Sequence, residues 1–468
     1  MTLIIVTVLL LGYCAIATEH LTNINKAAVA MFIGVTAWTL YMLAGNHYVA
    51  LFYADDYAHF LNGNTPTVTS LKRFIADIVF SKHLPDICQI ALYLLATMSI
   101  VDILNTNGCF DFISQWIRTR NTRRLLWTVA ALTYALSANI DNLTTAMMML
   151  VLMRRLIPDN IHRAYFGAVI VIAANAGGCL TVIGDPSNLM LWTKGAVTPS
   201  NFSGAMSIPS LLALAVPTYL VSLKLPPHLR ITTPRIHFRG DDSILKHWQQ
   251  GLMAVVGIGG LWFIPTFHNL TKLPPFLGAL CVLALLGVVN EFVNRQRIKT
   301  DQPFFRPAPR FMQNESIQTI LFFIGVSIAV AAIQETGALH TVAGWCDRNI
   351  HDIYIYSLFL GAVSAILDNV ALVLTAISMY DVTEITQNTL PAYDYLNSFA
   401  QNGQYWQLIA YSGALGGCLL AIGSTAGYAL MKAENVSLWW YVRHISGKVL
   451  AGWLVGLAAY FIIDSFIR

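Results

Sequence analysis

Long apolar stretches follow one another along this chain with only short polar intervals between them. Windows of about 20 mostly apolar residues fall at 2–17, 26–45, 86–105, 207–224, 249–267, 273–294, 316–336 and 447–466. As helices rising ~1.5 Å per residue, most of these reach across a ~30 Å hydrocarbon core. Lipid offers the backbone no hydrogen-bond partner, so each such segment must satisfy its own N–H and C=O groups as helix. The composition fits: 56% hydrophobic and only 11% charged, where an average globular chain carries about 25% charged residues. An all-α polytopic membrane protein is expected, with lipid as its surroundings. The apolar start at 2–17 lacks the basic region of a signal peptide and is read as a first span. The net charge of +4 comes without a Lys/Arg stripe interleaved with aromatics, which argues against nucleic acid.

Four apolar stretches do not behave as simple spans. Residues 125–153 would make a helix of about 43 Å, too long for one crossing. The midpoint is polar, with Ser137, Asn139, Asp141, Asn142, Thr144 and Thr145. Both flanks are basic: Arg118, Arg120, Arg123 and Arg124 before, Arg154, Arg155 and Arg163 after. A single span carries such an excess at one end only, so a re-entrant hairpin entering from the cytoplasm is expected over about 122–156. Residues 353–380 repeat the pattern with Ser364, Asp368 and Asn369 at the centre, but their flanks hold Asp347, Arg348, His351, Asp352, Asp381 and Glu384. That hairpin is expected to enter from outside. The basic segments 224–246 and 295–310, with Arg443 and Lys448, fall on the cytoplasmic side of the same threading. Lys72, Arg73 and Lys82 are exceptions, in an outer loop at 46–85 that is expected to hold an interfacial helix.

Self-similarity settles the expected architecture. SANIDN at 137–142 recurs as SAILDN at 364–369, 227 positions on (137 to 364). GGCLTVIG at 177–184 recurs as GGCLLAIG at 416–423, 239 positions on (177 to 416). Gly108 matches Gly337, 229 positions on (108 to 337). Each half then has five full spans plus a hairpin; an odd number inverts the second half. The expected domains are a first inverted repeat at 1–225, a cytoplasmic linker at 226–248 and a second repeat at 249–468. Each has a Gly-broken transmembrane helix, at about 161–193 and 404–434, where Gly177, Gly178 and Gly184, then Gly416, Gly417 and Gly423, unwind the backbone. Exposed backbone at that depth is tolerated only where it is buried in protein or lines a cavity, and paired broken helices point to a transporter's central site.

Two hairpin tips and two helix breaks therefore supply the candidate residues. Half-helix ends and side-chain amides offer oxygens suited to dehydrated Na+ or Li+, and Asp141, Asp368 and Asp185 add charge. Burial disfavours a charged carboxylate unless something neutralises it, so one that must hold either a proton or a metal cation carries the two in opposite directions. For Asp141 and Asp368 the alternative is a plain cap on the second half-helix. Further candidate oxygen ligands are Asn142, Asn369, Asn175, Ser137, Ser364, Asn139, Ser187, Asn188, Ser424 and Thr425, which could instead satisfy unwound backbone. Asp102 and Glu335, at span ends, are weaker candidates. The seven cysteines show no metal or disulfide spacing, the run Met147, Met148 and Met149 reads as packing, and no cofactor is expected.

At SANIDN, GGCLTVIGD, LFFIGVSIAVAAIQETGAL (321–339), SAILDN, GGCLLAIGSTAG and WWYVRHISGKVLAGWLVG (439–456), the chain resembles the ion transporter superfamily and, within it, the NhaD-type sodium/proton antiporters. The resemblance implies a homodimer in a bacterial inner membrane, elevator-type alternating access, and function at Asp141, Asn175, Asp185, Asp368, Asn369 and Ser424. Pro186-Ser187-Asn188 looks more like the arsenite and organic-anion branches, and Ile140 and Gln334 stand where acidic residues would be familiar. The reading is Na+ (or Li+)/H+ exchange; the alternative is an anion or metalloid transporter of the same fold. Three Asp with no Lys or Arg at the inferred site favours a cation. A membrane enzyme would need a nucleophile–base pair or metal cluster, and neither is found.

Overall fold

The structure, a computed structural model, describes residues 1–22, 24–110, 119, 121–228, 246–298, 314–383 and 395–467. Arg118 and Arg120, most of the expected linker (229–245), the basic segment 299–313 and loop residues 384–394 lie outside them. The principal helices are α1 (Thr2–Ala17), α2 (Lys26–Leu43), α3 (Leu84–Thr106), α4 (Thr122–Ser137), α5 (Asn142–Leu156), α6 (Asn160–Gly178), α7 (Pro186–Thr193) and α8 (Pro199–Ser222). They continue as α9 (His247–Thr271), α10 (Pro275–Ile298), α11 (Asn314–Glu335), α12 (Ile353–Ser364), α13 (Asn369–Ile377), α14 (Gln404–Gly416), α15 (Thr425–Glu434) and α16 (Gly447–Ile467).

Among the described residues, seven helical stretches are long and apolar enough to cross a membrane. They correspond to α2, α3, α8, α9, α10, α11 and α16, with α3 extended back to Val68 through a π-helical turn at Ile75–Phe80. Helix α1 is as apolar but has 16 residues. The only β-pairings among the described residues are the isolated bridges Asn121–His228 and Thr383–Ala400. The chain is an all-helical polytopic membrane protein.

Several starts follow from the sequence. Asn25 caps α2 by accepting from Ala27 N at 2.8 Å, Asn121 caps α4 through Arg123 N and Arg124 N, Asp159 caps α6 and Asp352 caps α12. Each cap satisfies donors that a helix cannot satisfy itself.

Small residues set the close crossings. A β-carbon on Gly34 of α2 would meet Gly325 O of α11 at 2.9 Å, and one on Gly325 would meet Met31 N at 2.5 Å. Trp38 Nε1 adds a bond to Ile328 O at 2.9 Å. Helices α8 and α16 approach as closely: a β-carbon on Gly456 would lie 2.6 Å from Pro209 O. This is how helices associate in lipid, where packing replaces the hydrophobic drive.

At the centre stand α6 and α14. Every residue of α14 is buried, as is 166–178 of α6. Gly177 of α6 passes Tyr134 O of α4 so closely that a β-carbon would lie 2.3 Å from it, and Gly416 of α14 passes Gly361 O of α12 with 2.4 Å. Ser137 Oγ donates to Ala174 O at 2.6 Å, and Ser364 Oγ donates to Gly413 O at 2.6 Å. These pairs keep the sequence offsets of 227 on the outer helix (137 to 364) and 239 on the inner one (174 to 413). Gly108 (φ 68°) and Gly337 (φ 73°) adopt the same left-handed turn, which glycine enters without steric cost. Lys194, just past α7, donates to Ile377 O at 2.5 Å and Tyr380 O at 2.9 Å at the C-terminal end of α13.

Candidate functional site

Helix α6 stops at Gly178 and α7 starts at Pro186; α14 stops at Gly416 and α15 starts at Thr425. The two non-helical stretches between them are folded tightly against the tips of α4 and α12. A β-carbon on Gly184 would lie 2.7 Å from Ser137 O, and one on Gly423 would lie 2.5 Å from Ser364 O. Thr181 Oγ1 donates to Ala138 O at 2.6 Å and accepts from Gly184 N at 3.1 Å, which fixes the first loop to the first tip. No sequence signal marked Thr181 for this.

Asp185 sits where the elements meet, with 1% of its surface exposed. Its Oδ1 accepts from Ser187 N at 2.9 Å and Ser187 Oγ at 2.5 Å, which also caps α7. Its Oδ2 accepts from Asn142 Nδ2 at 2.7 Å and Asn369 Nδ2 at 3.1 Å. Those amides are the first residues of α5 and α13, so each helix pair contributes one donor to one oxygen. Asn142 Nδ2 also lies 3.3 Å from Asn175 Oδ1, and Asn175 Nδ2 donates to Val171 O at 2.9 Å and Ser424 Oγ at 3.3 Å.

The aspartates preceding those amides face elsewhere. Asp141 Oδ2 accepts from Thr144 N at 3.0 Å and Thr144 Oγ1 at 3.1 Å. Asp368 Oδ1 accepts from Val370 N at 3.1 Å. Both cap their helices. Asp368 Oδ2 also accepts from Lys26 Nζ, the first residue of α2, at 2.9 Å. The expectation of a site without Lys or Arg is therefore corrected: an ammonium stands on one of its three carboxylates. Its sequence signal was a lone charge opening an apolar helix.

Two small cavities flank the network. Asp141 and Asp185 line the first with Asn139, Ile183, Pro186 and Leu189, against Tyr93 and Thr97 of α3. Asp368 lines the second with Ile366, Ile422, Ser424, Thr425 and Tyr428, against Lys26 and Glu19. Residues 139, 141, 183, 185, 186 and 189 of the first correspond, at the same two offsets, to 366, 368, 422, 424, 425 and 428 of the second. The same cavity is built twice, with Asp185 in one place and Ser424 in the other.

The remaining candidates divide by what they touch. Ser137 and Ser364 spend their hydroxyls on neighbouring backbone, and Ser424 caps α15 through Gly427 N at 3.1 Å. Asn188 Nδ2 donates to Gly178 O at 2.9 Å and Thr181 O at 3.1 Å, satisfying unwound carbonyls. Asn188 Oδ1 is buried without a partner, and so is Asn139 Oδ1 in the first cavity. In a cavity that Asp141 and Asp185 also line, the Asn139 oxygen suits a hard cation, whereas Asn188 lines neither cavity. Glu335 belongs elsewhere: it bonds His83 Nε2 at 2.7 Å, Lys82 Nζ at 2.7 Å and Tyr53 OH at 2.6 Å. Lys82, expected in an outer loop, instead lies in the helical stretch that runs from Val68 into α3, and Glu335 supplies its counter-charge. Asp102 is buried on α3 and lines neither cavity.

Residues 3–393 match the family model CitMHS, described as citrate transporter. Sodium/proton antiporter 1 of Arabidopsis thaliana is 32% identical over 97% of this chain and 71% of its own length. Sodium/proton antiporter 2 of the same plant is 30% identical over 97% of this chain and 98% of its own. The Na(+)/H(+) antiporter NhaD of Vibrio parahaemolyticus is 27% identical over 77% of this chain and 86% of its own.

Proposed function

This chain belongs to the CitMHS citrate-transporter family, and on that premise we propose that it exchanges Na+ (or Li+) for H+ across the membrane, with Asp185 as the carboxylate for which the two cations compete. The observation that carries the reading is the pairing of Asp185, buried and held by two amides, with the unpartnered Asn139 Oδ1 in one cavity. Relatives named sodium/proton antiporters, aligned over most of the chain, support the same ion pair.

Asp141 and Asp185 supply charge, while Asn139 supplies neutral oxygen. A carboxylate at this depth is costly to leave charged and alone, so the departing metal cation must be replaced by a proton. The amides of Asn142 and Asn369 hold Asp185 Oδ2 in place through both events. Asp368, with Ser424 and Thr425, forms the equivalent place in the second half.

The family description would also admit a polyanion such as citrate. Three carboxylates repel one, and the nearby Lys26 is already paired with Asp368. The duplicated contacts support two inverted repeats, at 1–225 and 249–468, around the shared network. Alternating access by elevator-like movement, in a homodimer in the bacterial plasma membrane, completes the proposal.

The test is collapse of an imposed proton gradient in inverted membrane vesicles on adding Na+, Li+ or K+. Wild type should respond to Na+ or Li+, and Asp185→Asn should not. No response of wild type to any of the three between pH 6 and 9 would remove the exchange reading.

A further inference from the structure

Because the cavity is built twice, each copy is a control for the other. In the first, the wall opposite Asp141 and Asp185 is made by Tyr93 and Thr97. In the second, Lys26 Nζ lies 2.9 Å from Asp368 Oδ2 and 4.3 Å from the centre of the Phe322 ring. Phe322 stands 229 positions after Tyr93 (93 to 322), the offset that relates Gly337 to Gly108. The ammonium thus lies between Asp368 and the Phe322 ring, whereas no Lys or Arg lines the first cavity.

Lys26 reaches this place from outside the helix pair it serves. It is the first residue of α2, set by the Asn25 cap and by the Gly34–Gly325 crossing of α2 with α11. The Lys26 side chain is 20% exposed and that of Asp368 7%. An ion pair this buried resists separation, because either charge left alone is strongly penalised. A free cation can therefore reach Asp368 only by displacing the tethered one.

We propose that Lys26 is a built-in cation that competes with Na+ for Asp368 and so confines the transported ion to the Asp141–Asp185 cavity. The proposal rests on the exchange reading above and adds a specificity-determining residue to it. It predicts one Na+ per chain in the wild type. Without the ammonium, the second cavity presents a free carboxylate beside Ser424 and Thr425 and should take a Na+ of its own.

The experiment counts radioactive Na+ bound at equilibrium to the purified full-length protein and measures KM for Na+ in reconstituted vesicles. Wild type should bind one ion per chain. Lys26→Gln should bind two, with KM lowered about tenfold because a full opposing charge has gone. Lys26→Arg, which keeps the charge, should return the count to one, and Lys26→Gln/Asp368→Asn should lose the extra ion. A purely structural ion pair would lower thermal stability without changing the count. Two ions on wild type, or one on folded Lys26→Gln with unchanged KM, would overturn the proposal. Should Lys26→Gln not fold, the wild-type count decides alone. If wild type neither binds nor exchanges Na+, the exchange reading fails and takes this inference with it; if it exchanges Na+ but the counts do not change, only this inference fails.

Discussion

Asn142 and Asn369, which belong to different halves of the chain, both donate to a single oxygen, Asp185 Oδ2, at 2.7 and 3.1 Å. Neither helix pair can turn away from Asp185 without giving up a hydrogen bond to a carboxylate, worth about 1.5–3 kcal/mol.

Asn142→Ala and Asn369→Ala should each raise KM for Na+ by roughly ten- to a hundred-fold, from that energy. The double variant should fall short of the product, since both amides serve one atom and coupled sites are not additive. Initial rates of Na+-driven gradient collapse measure all three. A fully multiplicative double variant would mean that the amides act on different things.

The paired serines allow a test of the duplicated packing. Ser137→Ala and Ser364→Ala each remove a buried 2.6 Å bond to an inner-helix carbonyl, which should cost about 0.5–1.5 kcal/mol, the net worth of one hydrogen bond, because the carbonyl keeps its helical donor, as Gly413 O keeps Gly417 N. Thermal unfolding in detergent should show similar losses for the two. A loss confined to one of them would show that the contacts, though alike in geometry, carry different loads.

Gly177→Ala and Gly416→Ala should fail to yield folded protein. Their β-carbons would meet backbone oxygens at 2.3 and 2.4 Å, and backbone cannot swing aside as a side-chain end can. Gly204→Ala, with nothing within 4 Å, should express normally. Yield of monodisperse protein by size-exclusion chromatography is the readout.

Glu335→Gln should lower thermal stability by about 3 kcal/mol, the scale of breaking a buried pair, because Lys82 and His83 both rest on this carboxylate. KM for Na+ should stay as in wild type, since Glu335 lines neither cavity. A large rise in KM would return Glu335 to the ion site.

The all-helical membrane character was legible because burial in lipid leaves a one-dimensional mark, the length of apolar runs. The polar residues at 137–142 and 364–369 were legible for the same reason, as exceptions within those runs. Partnership was not legible. Asp141 and Asp368 stood out for their charge, yet the amides one position later touch Asp185, because an N-cap side chain folds back on its own helix. Lys26 and Asp368 are 342 residues apart, and no local pattern announces such a meeting. Lys82 looked like a violation of charge placement until Glu335 supplied its counter-ion.

Lys194, just beyond the end of α7, holds the carbonyl of Ile377, the last residue of α13, and that of Tyr380 just past it. One side chain thus pins a half-helix from the first part of the chain to one from the second, at the ends away from Asp185. With Asn369 fastening the near ends, the two segments are tied together at both extremities. On the proposed elevator-like movement the two would shift together, as a single piece of machinery, and a crosslink between α7 and α13 should leave turnover intact.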